Sequence, residues 1–188
     1  GKMGYASTEA LNEVQAAAIV ERAADNAAVL EAEEQVFLSE GGQEYEPMED
    51  NSYPLPSTEE IISTILATQE KIYAASEKVI DGSQVQGIAE SSEIAIYNSK
   101  GLDLSHKNSA AGLIAVGVVS NGKEMSDAYE IKLGKLDEIN TDAMVQKAVS
   151  GAKEKLGGEV APTGQYPVVF NPEAMTSLLG VYSSIFNS

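Results

Sequence analysis

Apolar residues recur along this chain with two different periods. The first third and the last third repeat every three or four positions, as helices with one covered face do, and the middle third alternates every second position, as half-buried strands do. Asn12 to Glu31 is an Ala-rich helix whose Val20, Ala23, Ala24, Ala27 and Leu30 share one face. That face is small, so the helix is expected to lie tightly against another element. Ser57 and Glu60 are spaced as a capping box, and Ile61, Ile62, Ile65, Leu66, Ile72, Tyr73, Val79 and Ile80 carry a helical stripe as far as the stop at Asp81-Gly82.

The period then changes. The stretches "QVQGIAE", "EIAIY", "LDLSH", "GLIAVGVV" and "AYEIKL" predict an antiparallel meander of about four or five strands, with turns at Asn98 to Gly101 and at Asn121-Gly122. A helix from Asn140 to Leu156 follows, with Val145, Ala148, Val149, Ala152 and Leu156 on one side and Gly157-Gly158 at its end. Last comes "YPVVFNPEAMTSLLGVYSSIF", a short strand, a turn capped by Asn171 with Pro172 at the first helical position, and a helix with Met175, Leu178, Leu179, Tyr182, Ile185 and Phe186 as its core stripe. The fold class is α+β: helices packed on an antiparallel β-meander, followed by a strand-helix unit. Three segments follow one another: 1–81, two helices joined by an acidic connection; 82–160, the β-meander with its helix; and 161–188, the strand-helix unit. The abrupt finish after the last helix is that of a fragment.

Composition narrows what such a chain does. It has 188 residues, 43% of them hydrophobic, enough for a real core, and its longest apolar run, Leu113 to Val119, is far short of a membrane span. No signal-peptide pattern opens it, and the absence of cysteine excludes disulfides and thiolate chemistry and fits a cytoplasmic protein. The net charge is −17, and from Ala23 to Glu70 there are twelve Asp or Glu with no Lys or Arg. Such a surface repels phosphate backbones, which argues against direct nucleic-acid binding. Ala32 to Pro56, acidic and rich in turn residues, reads as an irregular connection, mobile or covered by a partner.

Candidate chemistry is thin. Gly117 to Glu124, "GVVSNGKE", misses a phosphate-binding loop because Glu124 stands where the Mg²⁺-binding hydroxyl belongs and a strand follows, so it reads as a hairpin turn. Ser150 and Lys153 have the spacing of a lysine-activated serine but lack the companion motifs of that enzyme class. His106, the one histidine, shares a strand face with Leu102 and Leu104 and cannot build a two-histidine metal site. The carboxylate pairs Glu33-Glu34 and Glu59-Glu60 read as solvated faces, and no calcium loop is present. No catalytic residue, cofactor site or metal ligand is assigned.

The sequence nevertheless resembles a known family. "GKMGYASTE" with "ERAADNA", the Asn98-Ser99-Lys100-Gly101 turn after "EIAIY", and "APTGQYPVVFNPEAMTSLLG" together look like the TldD/PmbA family, classed with metallopeptidases and historically labelled modulators of DNA gyrase. Family chains are much longer, so the resemblance implies the end of an N-terminal domain, a middle domain and the start of a C-terminal one. It also implies two arms that pair. In the TldD-like arm the helix after "PVV" carries H-E-x-x-x-H, two zinc-binding histidines and a glutamate suited to activating water. Aligned on "PVV" and "LL", Gly180, Val181 and Ile185 take the places of that His, Glu and His. The implied protein is therefore the PmbA-like (TldE-like), non-metal-binding subunit, with no cofactor of its own. Its implied partners are a TldD-like metalloprotease subunit or a second copy, and a peptide or unfolded-protein substrate. Two other readings stay open: a self-sufficient hydrolase with active residues beyond Ser188, and a regulatory protein acting on DNA gyrase. The family is metallopeptidase-related, but this segment carries no HExxxH zinc motif and no other convincing catalytic set.

Overall fold

The computed structural model describes residues 1–10, 12–31, 36–46, 48 and 52–186. Part of the acidic connection, including the Glu33-Glu34 pair, lies outside these described residues. The elements in chain order are α1 (Glu13–Val29), α2 (Thr58–Ala74), β1 (Gln84–Tyr97), β2 (Asp103–Ser120), β3 (Met125–Leu133), a 3₁₀ turn (Leu136–Glu138), α3 (Thr141–Glu154), α4 (Pro172–Tyr182) and a closing 3₁₀ turn (Ser183–Phe186). The architecture is α+β, with one three-stranded antiparallel sheet ordered β1-β2-β3 among the described residues.

Three strands replace the four or five expected, because neighbouring segments fuse. β1 runs unbroken through Glu90-Ser91-Ser92-Glu93, where the apolar alternation lapses, and pairs Glu90↔Ala110, Ser91↔Ser109, Ser92↔Asn108 and Glu93↔Lys107. Three of these four pairs are polar on both sides, and both sides of the ribbon are largely open to solvent, so the backbone ladder continues without apolar burial. The two turns fall where the sequence puts them. At the first, Asn98 Oδ1 accepts from the N–H groups of Lys100 and Leu102. At the second, Asn121 Oδ1 accepts from Lys123 and Glu124, and Gly122 takes the left-handed φ of +85° that favours glycine.

The core lies on one face of the sheet. Leu113, Ala115 and Val119 of β2 and Val85 of β1 meet Ile72 of α2 and Met144, Val145, Ala148, Val149 and Ala152 of α3. Small residues set the spacing: a Cβ at Gly117 would stand 3.2 Å from Val149 Cγ2, and one at Gly87 would run into Ile61 and Ile65 of α2. Gln69 fixes α2 on the sheet, its amide donating to the Ser83 carbonyl at 2.9 Å while its oxygen accepts from Val85 N at 2.7 Å. The capping box is formed, Ser57 Oγ accepting from Glu60 N at 3.2 Å and the Glu60 carboxylate accepting from Ser57 N at 2.8 Å.

Several expectations are corrected. The second helix ends at Ala74 and not at Asp81: Val79 bridges Val119, and Ile80 N donates to Val118 O at 3.0 Å, so sheet pairing takes over residues whose spacing also suited a helix. Among the described residues the small face of α1 receives no helix, but it does receive the chain at Gly4, where a Cβ would collide with the backbone of Ala23 and Ala27. The described part of the acidic connection is tied to the outer half of the β1-β2 hairpin by Gly41 N to Lys100 O at 3.1 Å, Asn98 Nδ2 to Ser39 O at 2.8 Å and Tyr53 N to Ser109 O at 3.0 Å. Residues 166–170 join no strand, and α4 buries none of its residues, so its apolar stripe is open rather than part of the core.

Candidate functional site

Among the described residues, those singled out from the sequence have definite places. His106 is half-buried on the ribbon face opposite Ile94. Ser150 Oγ donates to the Lys147 carbonyl one turn back along α3 at 3.3 Å, a helix back-bond that serves the backbone and not a nucleophile. Gly117 to Glu124 is the end of β2 and a turn leading into β3, so no helix N-terminus is available for phosphate. The Glu124 carboxylate accepts from Gly157 N at 2.6 Å and ties that turn to the end of α3.

α4 is set up locally as the sequence predicts, with Asn171 Oδ1 accepting from Ala174 N at 2.8 Å and Pro172 in the first turn. Gly180 faces open space, and Val181 and Ile185 are 74% and 71% exposed. None offers a donor atom, so the residues at this junction do not fit a zinc ion. Among the described residues there is no group of three or more His, Cys, Asp or Glu that could hold a metal.

The structure assembles a different constellation, one with no signature in sequence spacing. Glu130, on the helix-covered face of β3 and only 7% exposed, accepts from Lys132 Nζ and from Lys147 Nζ of α3, each at 2.9 Å. Lys147 reaches on to Glu173 of α4 at 2.7 Å, and Lys135 pairs with Glu138 at 3.0 Å. Burial works to raise the Glu130 carboxyl, but its bonds to the two ammonium groups outweigh it and hold the carboxyl below the usual glutamate range. The same bonds, to Glu173 first and then to Glu130, raise Lys147 well above an ordinary lysine. Glu130, Lys132, Lys135, Glu138 and Lys147 border a cleft of about 460 Å³ closed on other sides by Tyr53, Leu133, Ile139 and Met144. The only hint in the sequence is compositional: three of the twelve Lys and Arg residues in an acidic chain converge here from separate elements.

The described residues form an α+β domain with helices on one face of an antiparallel sheet, followed by a capped helix. The family description "PmbA/TldA metallopeptidase central domain" matches residues 52–156, a stretch that takes in α2, the sheet and α3. The chain belongs to the PmbA/TldD family. Two solved structures share its fold. One is a candidate modulator of a DNA gyrase from Thermotoga maritima MSB8, 23% identical with a TM-score of 0.64 over 87% of this chain and 37% of its own. The other is TldE from Thermococcus kodakarensis, 18% identical with a TM-score of 0.59 over 78% of this chain and 34% of its own. The chain thus spans little more than a third of either structure. No curated protein matches the sequence.

Proposed function

We propose that this chain is part of a PmbA-like (TldE-like) subunit that holds no metal itself and completes a TldD/PmbA-type metalloprotease complex acting on peptides or unfolded proteins in the cytoplasm. One feature supports the reading: in the alignment that the family resemblance implies, Gly180, Val181 and Ile185 take the places of a TldD-like arm's His, Glu and His, and no side chain of the three can ligate zinc or take a proton from water. Zinc would be held by the partner, where it would polarise the scissile carbonyl and activate water. This arm would contribute shape and substrate-facing surface.

The exposed stripe of α4 and the bare face of the sheet agree with a subunit that works in an assembly. Ile114 pairs with Ile131 and Val116 with Tyr129 on the face away from the helices, and Tyr129, Ile131 and Leu133 are exposed there. Apolar residues so placed in an antiparallel sheet are more than a solvated face requires. No described helix is long and apolar enough to cross a membrane.

The test is to mix the whole protein with the TldD-like protein of its own organism. Light scattering should show a stoichiometric complex, and peptide cleavage should rise above that of the partner alone. No complex together with unchanged cleavage would end the proposal. Peptidase activity of the pure subunit after exhaustive chelation would favour a self-sufficient hydrolase instead.

A further inference from the structure

We propose that the cleft between β3, the Leu136–Glu138 turn and the start of α3 is a receptor for a single carboxylate on an apolar stem, the chemistry of a peptide's C-terminal residue or of a small free carboxylic acid. The inference rests on the cleft's own groups and is independent of which arm of the family this chain represents.

Charge comes first. The chain as a whole carries −17, yet the cleft is lined by Lys132, Lys135 and Lys147 against Glu130 and Glu138. With Glu173 on Lys147, three ammonium groups balance three carboxylates, and an incoming acid takes the one place held by a carboxylate from an otherwise exposed helix. That single exchangeable place suits a monoanion and not a phosphate dianion, and the lining has no arginine fork and no helix-bound glycine loop that would favour phosphate.

The lysines are also held in place. Glu130 spends one oxygen on Lys132 and the other on Lys147, and its burial keeps it from turning away. An ammonium has three hydrogens, so Lys132 keeps donors beyond the one given to Glu130.

The structure already seats a carboxylate on this cluster. α4 buries none of its residues, yet its Glu173 reaches Lys147 Nζ at 2.7 Å. A carboxylate delivered by an otherwise exposed helix shows which group the cluster accepts. It also makes Glu173 a built-in competitor for an incoming acid.

The remaining walls fit a stem. Ile139 and Met144 supply apolar surface, Tyr53 closes the outer side, and about 460 Å³ is within the range of small-ligand sites.

The experiment titrates the 188-residue chain with N-acetyl-Ala-Leu bearing a free C-terminal carboxylate, with the same peptide as its C-terminal amide, with isovalerate and with inorganic phosphate. It reads heats of binding and the amide NMR signals of Leu133, Gly134 and Ala143. The acid peptide should bind and move those signals, and its amide should not. Tighter binding of the peptide than of isovalerate assigns the natural ligand to peptide C-termini, and the reverse assigns it to small free acids. Lys135→Gln, which leaves the Glu130 pairs and the melting temperature intact, should weaken acid binding by about tenfold, the factor expected for one charge-assisted hydrogen bond. Glu173→Gln should tighten it by up to about fivefold by removing the competitor. Equal binding of acid and amide, preference for phosphate, or indifference to both substitutions would overturn the proposal.

Discussion

Leu113 and Ile131 lie on adjacent strands, yet one is sealed beneath the helices and the other stands on the bare face of the sheet. Leu113→Ala removes a side chain with no solvent exposure and should cost about 2–5 kcal/mol. Ile131→Ala, at a half-open site, should cost less than about 1 kcal/mol in the isolated chain. Urea midpoints of the two variants measure the contrast, and equal losses would mean the bare face is covered in solution. Glu130 adds a pH dependence. Its folded carboxyl titrates below the usual glutamate value, so the stability it supplies is complete above that value and is lost as pH falls through the lower, folded one. The stability gap between the native chain and Glu130→Gln should therefore hold at neutral pH and narrow across that acidic window. A gap that widened as pH fell would contradict the two lysine pairs.

Among the elements, the ones with local chemistry of their own are the ones the sequence places well. Ser57 and Glu60 start α2 by satisfying each other's backbone N–H, so Ser57→Ala should lower stability by about 1 kcal/mol in thermal or urea unfolding. Asn140 and Asn171 do the same for α3 and α4, each accepting three residues on. The end of α2 and the merging of strand segments were not legible, because both depend on a distant partner: Val79 leaves the helix to meet Val119, and Glu90 to Glu93 stay in register because residues 107–110 lie opposite. Residues 159–186 are exposed throughout, and Lys147 with Glu173 is the ion pair that links α4 to the body among the described residues. A chain ending at Gly158 should accordingly melt within about 2 °C of the longer one, since it loses almost no buried surface. A large drop would show that α4 docks on the sheet in solution.

At the scale of the whole molecule, charge and apolar surface act against each other. A net charge of −17 keeps copies apart at neutral pH even though Tyr129, Leu133, Leu179 and Phe186 are exposed. Light scattering should show one species at neutral pH and low salt, then growing association as acid brings the net charge toward zero. Association at neutral pH that salt does not change would point to a specific self-interface instead. That the side chains of Gly180, Val181 and Ile185 carry no ligating atom was readable in the sequence, whatever the fold. The lysine cleft was not, since Lys132, Lys135 and Lys147 belong to different elements and meet only because α3 packs across β3 over Ala128 and Glu130. The sequence by itself determined what each segment can do alone: the capped helix starts and the two hairpin turns, decided within a few residues by hydrogen bonds and side-chain chemistry. Only the tertiary structure decided which apolar faces are covered, where strands run through polar residues, and which charges meet, because each of these needs a partner far along the chain.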